Sequence, residues 1–311
     1  MNNRIKKINF NHSFIFFLLC NIFSILFIKI DSSLISPLIC LLLILIVGVS
    51  HGSLDHLKGK KLLKIFKFNN ISIFYLTYLL LAISITIFWI LLPATTLILF
   101  LIIASYHFGK EDTQFLIQEN SYFNQFLFFT KGVLVILAPL YFHFNETIAI
   151  FKLLLIDNEI FYSSLNIIEN SKLLYLGIFV STLSSVFLLI KNFELKKLTI
   201  FLDYFSILII NYYFTPLIAF TIYFCFLHSI RHSISLMFEL DQKNLQNGLV
   251  IFFKKALPLT ILTATFCLIS LYFMNKIYDF DSSILKLIFI GLASLTFPHI
   301  LLEYLIEKNE K

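Results

Sequence analysis

The chain has 311 residues, 59% of them hydrophobic and only 14% charged, with a mean hydropathy of +0.89. Soluble domains carry roughly one-quarter charged residues, so a soluble enzyme is excluded, and the apolar runs leave no stretch long enough for a separate soluble domain. The net charge of +6 is no nucleic-acid signal, because the lysines fall in short loops between apolar runs, where the positive-inside rule expects them.

The apolar runs are about 17 to 24 residues long, enough to cross a hydrocarbon core of roughly 30 Å. The expected fold class is all-α, a polytopic transmembrane helical bundle. Residues 1–311 form a single integral membrane domain in the lipid bilayer of the inner cell membrane. Arg4, Lys6 and Lys7 before the run Phe14 to Ile28 resemble a signal peptide. Lys29-Ile30-Asp31 makes a poor cleavage site, so the segment is kept as the first span.

About ten spans are predicted: 14–30, 34–51, 71–92, 94–108, 124–144, 172–190, 198–214, 216–237, 250–274 and 283–305. Pro37 and Pro216 lie in first turns, where a missing N–H costs little, and Pro93 separates two spans that would otherwise merge. One side carries Lys58, Lys60, Lys61, Lys64 and Lys67, then Lys191, Lys196 and Lys197, then Lys243, Lys254 and Lys255. The other carries Glu146, Asp157, Glu159 and Glu169, then Asp279 and Asp281. This alternation puts both termini in the cytoplasm. Lys131, inside the fifth span, must snorkel or face a polar interior. The piece Ile148 to Ile156, interrupted by Lys152, is either interfacial or part of another span. Cys20, Cys40, Cys225 and Cys267 have no CxxC spacing and read as packed thiols. The 38 phenylalanines fit a cavity for a long polyene, but biased nucleotide composition is the favoured reading.

Five of the eight histidines sit in four short motifs: Ser50-His51-Gly52-Ser53-Leu54-Asp55, Ser105-Tyr106-His107-Phe108-Gly109, His228-Ser229-Ile230-Arg231-His232 and Thr296-Phe297-Pro298-His299. All five fall on even-numbered spans, about 13 to 18 residues in, which at 1.5 Å rise is a common layer roughly 18 to 27 Å from the outer edge. A membrane-buried imidazole is costly and calls for a partner. Several at one depth most simply form a metal site.

His228 and His232, at i,i+4, share a helical face and can chelate one ion. His56 is about 140° from His51 at 100° per residue and is not expected to join it. Four neutral imidazoles suit Fe(II), Zn(II) or Cu(II); iron, with its higher coordination, keeps positions open for dioxygen or water. Such ligands leave the ion's charge uncompensated. Asp55, four residues after His51, and Asp112, five after His107, are candidates to orient ring N–H groups, or else cap or solvate helix ends. His299 is read as a hydrogen-bond donor behind the ligands, in preference to a fifth ligand or a packed core histidine. Tyr106 is a second candidate for a hydrogen bond into the site, although interfacial anchoring is the commoner use. Arg231 is expected to reach lipid headgroups. His12 and His143 are assigned no specific task, and Gly48, Gly52 and Gly109 are read as points of close helix approach.

With all four motifs in order between residues 48 and 299 (HGxxD, HFGxxD, HSxRH and TxPH), the chain resembles the Brp/Blh family of membrane β-carotene 15,15'-dioxygenases. The resemblance implies an Fe(II) enzyme that cleaves the central double bond of β-carotene with O2. Its two retinal products would supply a microbial rhodopsin. Carried over by motif, the iron ligands are His51, His107, His228 and His232. The family's proline before the first ligand and alanine after its glycine are Ser50 and Ser53 here. From about 110 to 215 the likeness is only apolar character. A polyene dissolved in lipid can reach a metal within the bilayer sideways, between helices.

Two rivals remain. A membrane di-iron hydroxylase or desaturase would need eight or more histidines in HxxxH and HxxHH boxes, and this chain has one HxxxH. A histidine-containing transporter would show broken helices and internal repeats, and no repeat is found.

Overall fold

The computed structural model describes residues 3–27, 35–50, 52–117 and 121–309, and all regular structure among them is helical. In chain order it runs α1 (Asn3–Phe27), α2 (Pro37–Leu43), a π-helical segment (Ile44–Gly48), a 3-10 turn (Gly52–Leu54), α3 (Asp55–Ile65), α4 (Ile71–Leu91) and α5 (Pro93–Glu111). Next come α6 (Tyr122–Gly132), α7 (Leu134–Phe142), α8 (Phe144–Leu153), α9 (Glu159–Asn170) and α10 (Leu173–Ile190). After a short 3-10 turn follow α11 (Leu198–Tyr213), α12 (Pro216–Ile222), a second π-helical segment (Tyr223–Ser229), α13 (Ile230–Leu240), α14 (Leu245–Met274) and α15 (Phe280–Asn309).

Local sequence explains the breaks. Pro37, Pro93 and Pro216 occupy first turns of their helices, where proline's fixed φ suits the helix and its absent donor is not missed. The Ser36 and Asn70 side chains accept from Leu38 N and Ser72 N, capping α2 and α4. Such caps satisfy amides that have no partner within the helix.

Among the described residues, eight helical stretches are long and apolar enough to cross a membrane: Asn3–Leu26, Pro37–Ile65, Ile71–Leu91, Tyr122–Phe142, Leu173–Ile190, Pro216–Leu240, Leu245–Met274 and Phe280–Asn309. They match eight of the expected spans. The other two, 94–108 and 198–214, are the helices α5 and α11, both with many buried residues. The doubtful piece after α7 forms α8, whose 10 residues extend about 15 Å, half the hydrocarbon thickness. Burial is uneven. The long α4 buries only Trp89 and α14 only Gly248, Phe252, Ala256 and Leu271, so their apolar faces suit lipid rather than a protein core.

Two close approaches set the helices that carry the motifs. A Cβ on Gly109 would lie 1.8 Å from the Phe128 carbonyl oxygen, and one on Gly132 would lie 1.8 Å from that of Ser105. Thus α5 and α6 cross backbone to backbone, which only glycine permits here. Gly48 likewise leaves room for the Phe224 ring, 2.5 Å from where its Cβ would stand, and the two π-helical segments pack on each other at that point. Gly52 corrects the expectation made for all three glycines, since no described neighbour lies within 4 Å of its would-be Cβ.

Candidate metal centre

The histidine motifs meet. His107 on α5 lies with its ring centroid 5.3 Å from that of His228 and 5.4 Å from that of His299, and His299 lies 5.7 Å from His232. All four are buried, at 5% relative exposure or less, so none is solvated by bulk water. His51 lies outside the described residues. Phe108 stands edge-on to the His228 ring at 4.8 Å and Phe224 stacks on it at 5.9 Å, giving the cluster an apolar wall.

Each of three rings has a carboxylate at Nδ1. His228 donates from Nδ1 to Asp112 Oδ1 at 3.3 Å, His232 to Glu111 Oε2 at 2.9 Å, and His299 to Asp55 at 2.9 Å from both oxygens. An acid at Nδ1 fixes the proton there and leaves Nε2 as the ligand atom, the usual arrangement behind a metal-bound histidine. The Nε2 atoms of His232 and His299 do point into the cluster, toward Glu303 Oε1 at 3.8 and 3.6 Å. Tyrosine hydroxyls complete two of the acids: Tyr223 donates to Asp112 at 2.7 Å and Tyr78 to Asp55 at 2.9 Å.

The second of the two π-helical segments carries His228 and feeds directly into the helix that carries His232. Wide turns of this kind recur at functional sites because they shift side-chain register within a helix. Here consecutive acids at the end of α5, Glu111 and Asp112, reach both histidines of the third motif.

Asp112 and Asp55 do stand behind ring N–H groups, those of His228 and His299. Other expectations change. His299 itself lines the cluster beside His107 instead of standing behind it. Tyr106 turns away, its hydroxyl donating to Gln125. Arg231 is no headgroup contact: at 1% exposure it grips Asp203 with two hydrogen bonds of 2.7 and 2.9 Å, and reaches the Ser13 hydroxyl at 2.6 Å and the Asp112 carbonyl at 3.2 Å. A guanidinium's planar fork suits such a buried pair. Lys131 faces a polar interior, lining a small cavity with Asp112 and Tyr223. His12 has a task after all, donating from Nε2 to the Phe226 carbonyl at 2.8 Å. His56 turns to the Ser53 carbonyl at 2.9 Å, clear of the site.

Glu111, Glu303, Lys58 and Asp203 were not foreseen. For the two glutamates a signal exists: Glu111 follows His107 by four residues and Glu303 follows His299 by four, as Asp55 follows His51 and His232 follows His228. Each of the four motifs thus has a histidine with a second ligand-type group four residues on. Lys58 donates to Glu303 Oε1 at 2.6 Å.

Among the described residues, two groups of three can hold a metal ion, His107 with His299 and Glu303, and Glu111 with His232 and Glu303, each with ligand atoms within 4.8 Å of one another. Imidazole and carboxylate donors fit a divalent transition metal.

A family model described as beta-carotene 15,15'-dioxygenase matches residues 42–307, which contain all four motifs. The chain belongs to this family. A beta-carotene 15,15'-dioxygenase from uncultured marine bacterium 66A03 is 28% identical over 273 residues, covering 84% of this chain and 90% of the relative. No solved structure matches. As a beta-carotene 15,15'-dioxygenase family member the chain is an oxidoreductase of retinal-forming carotenoid cleavage. Membership sets aside the hydroxylase, desaturase and transporter readings.

Proposed function

We propose that this dioxygenase holds one Fe(II) ion with His51, His107, His228 and His232. It cleaves the central double bond of β-carotene with O2 to give two retinal, and supplies them to a microbial rhodopsin. The chain sits in the inner cell membrane as one domain of ten spans with both termini cytoplasmic. Bound iron supplies the redox chemistry that dioxygen activation needs. The protein does the rest. Asp112 and Glu111 hold the His228 and His232 tautomers with Nε2 free of its proton. Phe108 and Phe224 keep water from the His228 face. β-Carotene, as an apolar polyene, partitions into lipid and arrives between helices at the depth of the histidines. The position of the cleaved bond then follows from how far the substrate slides past the ion.

The observation that supports this reading is the meeting of His107, His228, His232 and His299 in one buried cluster, with carboxylates behind His228, His232 and His299. Expression in a bacterium that accumulates β-carotene tests it. The wild-type chain should bleach the cells with appearance of retinal, while His228→Ala should do neither and purify without iron. An active His228→Ala protein with full iron content would refute the ligand set.

A further inference from the structure

Glu303 stands at the focus of the cluster. Its Oε1 lies 3.6 Å from His299 Nε2 and 3.8 Å from His232 Nε2, and its Oε2 lies 3.7 Å from His107 Nδ1. These separations exceed a hydrogen bond. They approach the spacing of neighbouring ligands on one ion, about 3.0 to 3.5 Å for metal–ligand bonds near 2.1 Å. It is also the one residue common to both groups able to hold a metal.

Charge points the same way. Four carboxylates back or face the imidazoles. Asp112 shares Arg231 and Lys131 with Asp203; among the described residues the other three, Asp55, Glu111 and Glu303, are met at hydrogen-bond distance by one ammonium, Lys58. With the imidazoles neutral, as metal ligands are, these side chains carry two uncompensated negative charges. Buried charge is tolerated only when balanced. A single divalent cation balances it; a second would overshoot by two. Lys58, three residues beyond Asp55 on α3, donates to the same Glu303 oxygen that faces His232 and His299.

We infer that Glu303 is an anionic ligand of the same single ion as the histidines, held in place by Lys58, with His299 beside it, so that the centre is a mixed imidazole–carboxylate site. This rests on the proposed iron site and deepens it. The four-residue step from His299 to Glu303 then does on α15 what the step from His228 to His232 does across the second π-helical segment and α13.

The test is anaerobic titration of the purified, metal-stripped full chain with ferrous iron against a chelator, followed by electron paramagnetic resonance of the nitric oxide adduct. His228→Ala should abolish binding. Glu303→Gln should lower affinity by at least about tenfold, the smallest loss seen on disturbing metal-site partners, and change the spectrum. Glu303→Asp keeps the charge one methylene shorter and should bind, with a spectrum shifted from wild type. A smaller affinity loss in Glu303→Gln, or a wild-type spectrum from Glu303→Asp, overturns the inference even where Glu303→Gln fails to fold. Wild-type binding by His228→Ala would instead defeat the iron site itself.

Discussion

Two buried polar clusters lie side by side in this bundle, and they differ in their charge balance. In one, Arg231 and Lys131 face Asp112 and Asp203, two cations against two anions, joined by hydrogen bonds of 2.7 and 2.9 Å from Arg231 to Asp203. In the other, among the described residues, Asp55, Glu111 and Glu303 stand around the histidines with Lys58 hydrogen-bonded to Glu303, while nearby Lys110 is paired with Glu307. Asp112 touches both, through Arg231 on one side and His228 on the other. The closed cluster is complete as it stands and holds α5, α11 and α13 together through ion pairs. The open cluster, on the proposal above, is completed by a divalent ion. Their juxtaposition separates what buried charge does for the fold from what it does for chemistry.

That difference can be broken deliberately. The largest effect is expected from Arg231→Met, which strands two acids in a buried site. Loss of one partner of a buried pair costs about 3 to 5 kcal/mol, so denaturant unfolding in detergent should show a marked loss of stability. The protein that remains folded should still bind iron. Next comes Asp112→Asn, which cuts the link between the clusters. It should lower iron affinity by roughly 10 to 100-fold, as removal of an acid behind a metal-bound histidine does. Glu111→Gln sharpens the comparison from the open cluster. It removes the acid behind His232 and should weaken iron binding by about tenfold, read by titration against a chelator; unchanged affinity would mean that Glu111 has no part in the metal centre. The smallest effect belongs to Tyr106→Phe. Its hydroxyl bonds Gln125, so stability should move by no more than about 0.5 kcal/mol and iron affinity not at all.

The membrane character was legible because hydrocarbon imposes it on every residue that faces lipid. Spans ending at Pro93 or beginning at Pro37 and Pro216 were placed to within a few residues, since proline acts locally. The convergence of the motifs was legible from depth, which adds up along a helix at a fixed rise. Pairings across helices were not. Asp112 reads from the sequence as an acid that orients a ring N–H, but which ring it serves depends on how the helices pack, and the wide-turned segment Tyr223–Ser229 brings His228 to it. Arg231 looked like a headgroup contact because Asp203, its counter-charge, lies on another helix with no motif around it. Glu111 and Glu303 were within reach of the sequence through their four-residue step from a histidine. They were passed over because glutamate near a helix end is usually solvated.

Metal stoichiometry on the purified wild-type chain tests the balance of charge most directly. One divalent ion per chain, lost on His228→Ala substitution, is the expected result. Two ions per chain, or none in an active preparation, would contradict it.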